Sequence, residues 1–130
     1  MLYEALTHHL KRLTLGSLAS IAAAAIAFWQ DFASFAIVTM IWACMNLLIA
    51  LLSARSKRTI DLRALREFLA LNLGLNVGYI GVGMVMLWLP NSESVEAGVA
   101  VVIQGLLLLV LDSLLLIRLP KTAIDDRHAE

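Results

Sequence analysis

The sequence predicts an all-α integral membrane protein, an antiparallel bundle of four transmembrane helices with both termini on the cytoplasmic side. Three observations predict it. Hydrophobic residues make up 61% of the 130 positions, against roughly 45–50% in soluble domains, and a chain this short cannot hide so much apolar surface inside itself. Leu13 to Gln30, Phe32 to Ala54 and Phe68 to Ser92 carry no charge, and Ala97 to Ile117 carries only Asp112; each run suits a hydrocarbon core that takes about 20 helical residues to cross. The charges are also segregated. All 10 Lys and Arg lie before helix 1 (Lys11, Arg12), between helices 2 and 3 (Arg55, Lys57, Arg58, Arg63, Arg66) or after helix 4 (Arg118, Lys121, Arg127). The 1–2 and 3–4 connections hold only Asp31, Glu93 and Glu96, so the positive-inside rule predicts an N-in, C-in topology.

The predicted elements form one domain, with helices near 13–30, 32–54, 62–89 and 96–118. Before helix 1, Leu2, Leu6, Leu10 and Leu13 share a helical face opposite Glu4, His8, Lys11 and Arg12, which predicts a short amphipathic helix lying at the membrane surface. No cleavable signal peptide is apparent. The brief Gln30–Ser34 connection makes helices 1 and 2 antiparallel neighbours. Thr59 or Asp61 can cap helix 3. Pro90-Asn91 ends helix 3, Pro120 ends helix 4, and the polar tail 121–130 frays. Trp29, Trp88 and Tyr3 fall where interfacial aromatics belong. Cys44 is the single cysteine, which excludes an intramolecular disulfide; it reads as a small buried hydrophobe.

Small residues predict where helices pack. Gly16, Ser20, Ala23, Ala24 and Ala27 form a ridge on helix 1. Gly74, Gly78 and Gly81 form another on helix 3, with Gly74 and Gly78 at the four-residue spacing that lets backbones approach. Either ridge can serve packing within the chain or self-association.

Buried polar side chains are the candidates for a site, because lipid cannot satisfy them. Asn72, Asn76, Tyr79 and Gly83 form one stripe on helix 3, roughly opposite Gly74; Thr39, Asn46 and Ser53 form one on helix 2; helix 4 offers Gln104 and Asp112. Counting inward from the basic boundary at about 1.5 Å per residue pairs Asp112 with Asn72, Asn46 with Asn76, and Tyr79 with Gln104 in successive layers. Asp112 stands out, since an acid within a transmembrane helix costs about 2.5–3.5 kcal/mol on insertion scales and commonly marks function. A structural hydrogen bond, a proton- or ion-linked role and polar-ligand binding all remain open for it. His8 and His9 read as a solvated interfacial pair rather than a metal site. Neither they nor His128 supply the facing ligands of a membrane haem. The basic loop Arg55–Arg66 is accounted for by topology and anionic lipid, with no nucleic-acid partner expected.

Three segments carry a family resemblance: Trp42-Ala-Cys-Met-Asn46-Leu-Leu-Ile-Ala50 in helix 2, Leu71-Asn72-Leu-Gly74-Leu-Asn76-Val-Gly78-Tyr79-Ile-Gly-Val-Gly83 in helix 3, and Gln104-Gly105-Leu-Leu-Leu-Leu-Val-Leu-Asp112 in helix 4. Together they resemble an uncharacterised bacterial family of small four-helix integral membrane proteins, a domain of unknown function. The resemblance implies a bacterial cytoplasmic (inner) membrane location and brings no activity with it. The family pattern has Asp where this chain has Asn76, so a second intramembrane acid is missing here.

The residues therefore predict a non-enzymatic membrane module, oligomeric or part of a membrane complex, with the lipid bilayer as its surroundings and no cofactor or metal. One intramembrane acid, no metal cluster and no activated nucleophile speak against an enzyme. The alternative is a small proton- or ion-linked transporter or channel, or a polar-ligand binder, using Asp112 with Asn72 and Asn76.

Overall fold

A computed structural model describes residues 2–55 and 61–119. They form four helices, α1 Leu2–Trp29, α2 Ala33–Arg55, α3 Leu62–Met86 and α4 Ser92–Arg118, each long and apolar enough to cross a membrane. Thr59, Pro120, the tail from 121 to 130 with His128, and the basic residues Lys57, Arg58, Lys121 and Arg127 lie outside the described residues.

The segment expected as a separate surface helix is instead the first turns of α1. No Gly or Pro interrupts residues 2–15, and the inward stripe of Ser17, Ser20, Ala24 and Ala27 continues toward the N-terminus through Leu13 and Ala5. Packing thus extends along the whole helix. At its other end Asp31 adopts φ 64°, the left-handed conformation that a short polar residue tolerates. Asp31 N–H then donates to Phe28 O at 3.3 Å and Phe32 N–H to Ala27 O at 3.0 Å, the paired bonds of a Schellman ending with Asp in the usual glycine place.

Carboxyl and amide caps start the later helices. Asp61 accepts from Arg63 N–H at 3.0 Å and Asn91 accepts from Glu93 N–H at 2.9 Å, satisfying donors that have no partner within the helix. Asn91 moves the start of α4 one turn earlier than expected, to Ser92, and α3 stops at Met86.

The bundle is two hairpins, α1–α2 and α3–α4, joined through α4. Among the described residues α4 packs along all three other helices, whereas α3 runs along α4 alone. Longer side chains carry α3 to its other neighbours, as where Tyr79 meets Trp42 edge-on with ring centres 5.0 Å apart. Burial follows this plan. In α2 the inward positions are Ala36, Thr39, Ala43, Asn46 and Ala50, the alternating three- and four-residue spacing of one helical seam. In α3 they are only Leu69, Asn76 and Gly83, seven apart, a strip one helix wide.

Leucines fill the basic half of the interior. One cluster joins Ala5, Leu69, Leu115 and Leu119, and a second joins Leu13, Ala50, Leu108 and Leu111. Small residues fill the other half. A Cβ on Gly83 would lie 2.9 Å from Gly98 O, and one on Gly98 would lie 2.8 Å from Gly83 O, so the two backbones touch. Gly105 is nearly as confined, since a Cβ there would lie 2.8 Å from Ile80 Cγ1 and 3.3 Å from Asn76 O. A Cβ on Gly16 would meet Leu107 at an ordinary 3.5 Å.

The ridge expected to pack helix 3 behaves differently. Beyond the backbone of its own helix turns, a Cβ on Gly74, Gly78 or Gly81 would find nothing within 4 Å among the described residues, so these glycines do not pack against the other described helices. The reason is geometric. α3 has one close neighbour and turns its Asn76–Gly83 strip toward it, which leaves the opposite face bare. Cys44, expected to be buried, is also exposed, because it falls outside the α2 seam. The exterior is otherwise apolar, with Trp29 and Trp88 at one end and Tyr3 at the other, all exposed.

Candidate functional site

The two leucine clusters enclose a polar group between them. Asp112 follows Leu111 of one cluster and precedes Leu115 of the other, and it is 7% exposed. Asn76 Nδ2 donates to Asp112 Oδ2 at 3.1 Å. His9 Nε2 lies 3.7 Å from Asp112 Oδ1, with the two side chains 11% and 9% exposed. Each carboxylate oxygen therefore faces a different helix, and one side chain braces α1, α3 and α4. An imidazole and an amide converging on a carboxylate can hold a proton between helices or simply lock them in register. Among the described residues no third His, Cys, Asp or Glu joins the pair to complete a metal set.

Depth along the helices predicts Asn72 as the neighbour of Asp112, but the structure gives it Asn76. Leu69 packs with Leu115 and Leu119, a register that places Asp112 between the levels of residues 72 and 76. Side chains lean toward the N-terminus of their own helix. In antiparallel α3 and α4, Asp112 therefore leans away from the basic end and Asn76 leans back toward it, so the two meet. Asn72 leans away from Asp112 and is half-buried.

His9 is the residue that sequence reasoning missed. His8 is exposed as expected of a solvated side chain, but His9 is turned inward. The available signal is the spacing of Ala5, His9, Leu13 and Ser17, four apart on one face, which the amphipathic, charged pattern of residues 1–12 obscures.

A second polar contact lies deeper. Gln104 Nε2 donates to Ser20 Oγ at 3.2 Å, linking α4 to α1, whereas Tyr79, expected opposite Gln104, is 37% exposed and rests against Trp42. Asn46 is buried at 7% exposed in the α2 seam, and Ser53, on the same predicted stripe, is exposed. Gln104 Oε1 and Thr39 Oγ1 are buried without a hydrogen-bond partner among the described residues. The contrast with α1 is instructive, since Thr7, Thr14 and Ser17 each donate to the carbonyl four residues back at 2.8 Å. An unpaired buried hydroxyl costs stability that an isosteric methyl does not. Thr39→Val should therefore raise stability by about 1 kcal/mol, read as a higher thermal midpoint in mild detergent. A lowered midpoint would mean that the hydroxyl has a partner.

The profile of a family of unknown function (DUF6992) matches residues 12–113. The chain belongs to that family. The resemblance drawn from helices 2 to 4 thus holds, and the DUF6992 match extends it into α1. It takes in Ser20, Thr39, Asn76, Gln104 and Asp112, while His9 lies just before its first residue. No curated protein and no solved structure matches this DUF6992 chain.

Proposed function

We propose that the protein is a non-catalytic integral membrane module that acts by assembling, with further copies of itself or within a membrane complex, through the outer face of α3. The supporting observation is the bare ridge of Gly74, Gly78 and Gly81, with open space above each glycine, on a helix whose backbone, among the described residues, runs along α4 alone. Lipid tails are as apolar as leucine, so helices in a bilayer associate through close backbone packing at such small residues. The confinement of Lys and Arg to the two termini and the 2–3 loop supports an N-in, C-in orientation in a cytoplasmic membrane.

Gly74→Leu/Gly78→Leu tests the reading. Native mass spectrometry and in-membrane crosslinking of wild type should report an oligomer or a bound subunit. The double variant should lose it while keeping its helix content, since neither glycine packs inside the chain. A wild type that stays monomeric and unaccompanied in the bilayer would sink the proposal, as would a variant of unchanged stoichiometry.

The contact between His9 and Asp112 favours a second reading, a proton- or ion-linked transport role, because two titratable side chains from separate helices meet there between apolar clusters. Asp112→Asn separates the two readings and is taken up below.

A further inference from the structure

On the surface between α1 and α4, a cleft beside the His9–Asp112 contact is lined by His9, Arg12 and Arg118 with Leu111, Leu114 and Leu115. The geometry points to a binding site for the phosphate headgroup of an anionic phospholipid, with Arg12 and Arg118 holding the phosphate and the leucines of α4 receiving the first carbons of an acyl chain. This inference rests on the membrane reading above and adds a ligand to it.

The register of α1 against α4 sets the shape of the cleft. Ala5 packs with Leu115 and Leu119, His9 reaches Asp112, and Leu13 packs with Leu108 and Leu111. Arg118 is therefore level with the first turn of α1, and Arg12 starts about two turns further in, roughly 12 Å at 1.5 Å per residue. The side chains close that gap, since each leans toward the N-terminus of its own helix. Arg12 leans toward the basic end and Arg118 leans down from it, so both line one cleft from opposite ends.

Arg12 is half-buried, and a cation this far along an apolar helix is costly unless it reaches an anion or the interface. Among the described residues neither Arg12 nor Arg118 makes an ion pair; the pairs present are His9–Asp112 and Arg63–Glu67. Asp112 does not line the cleft, its oxygens being turned to Asn76 and His9. An anion with an apolar tail complements two guanidinium groups set beside leucines. Guanidinium forks match phosphate oxygens, and basic pockets between transmembrane helices at the cytoplasmic face are where anionic headgroups bind.

The test uses the full chain reconstituted in vesicles of equal phosphatidylglycerol and phosphatidylcholine, extracted in mild detergent and weighed by native mass spectrometry. Wild type should retain phosphatidylglycerol in preference to phosphatidylcholine. Arg12→Gln/Arg118→Gln should lower that retention at least about tenfold. Arg63→Gln/Arg66→Gln, which removes the same charge from α3 at the same end, should leave it unchanged. Lipid-free protein given inorganic phosphate should bind none. Equal retention by the two double variants overturns the site, and so does phosphate bound as well as lipid, which would make it a free-anion site. Alkaline carbonate washing of membranes separates this from the underlying reading. A chain stripped from the membrane fails the membrane reading, whereas an embedded chain whose lipid adducts ignore Arg12 and Arg118 fails the site alone.

Discussion

Replacing Gly83 with alanine is expected to destabilise the bundle by about 1–3 kcal/mol, the usual cost of overpacking a close-packed interior. The added methyl would sit 2.7 Å from Val102 Cγ2, 2.9 Å from Gly98 O and 3.1 Å from Val102 N. A side chain can rotate away, but a carbonyl and an amide in the facing helix cannot, so α3 must separate from α4. Alanine's better helix propensity returns about 1 kcal/mol at most and does not offset a backbone clash. The damage should extend beyond the seam. Asn76 reaches Asp112 from the same strip of α3, so a displaced α3 also lengthens that hydrogen bond. Thermal or denaturant unfolding in mild detergent measures the loss. An unchanged midpoint for Gly83→Ala would show that the α3–α4 seam is looser than these distances.

Asp112→Ala should cost about 2–3 kcal/mol, because it leaves two buried partners unpaired at once. Single interhelical hydrogen bonds in membranes average only about 0.6 kcal/mol and reach about 1.7, so the sum depends on Asn76 and His9 both being orphaned. Double-mutant cycles with Asn76→Ala and His9→Ala apportion it; a coupling indistinguishable from zero for both pairs would remove the bracing role. Asp112→Asn keeps an acceptor for the Asn76 amide and removes the carboxylate facing His9, so it should cost less than the alanine variant. In proteoliposomes under a pH gradient it also decides between the functional readings. Flux lost with stability little changed favours transport, and no flux from either protein, with a lowered midpoint, leaves Asp112 as a brace.

The two predictions lie on opposite sides of what could be read in advance. Asp112 and Asn76 were selected from residue type alone, because an acid and an amide in charge-free apolar runs have to find partners inside the protein. Gly83 lies on the polar stripe of helix 3, and residue type alone does not mark it, Gly98 or Gly105 as packing residues. The spacing of Gly74 and Gly78 drew attention to the other face instead. Glycine spacing reports that a helix has a face permitting close approach. It does not report whether the helix that approaches belongs to the same chain.

Counting from the basic boundary brings Asp112 and Asn72 to one level, but level alone does not say which asparagine leans toward Asp112, and Tyr79, counted level with Gln104, rests against Trp42 instead. His9 was lost for a related reason. Its partner is more than 100 residues away in sequence, and the charges of Lys11 and Arg12 suggested that the helix lay on a surface there.

The sequence by itself determined that there are four apolar helices, that basic residues gather at one end, and that Thr39, Asn46, Asn76, Gln104 and Asp112 are buried. These follow from composition and local spacing, which act on each helix separately. Only the tertiary structure decided that α4 is the shared helix, that Gly83 and Gly98 form the tight seam while the Gly74 ridge stays bare, and that His9 completes the contacts of Asp112. Those depend on the rotation and register of one helix against another, and both are set by side-chain shape across the whole bundle rather than by any pattern within a single helix.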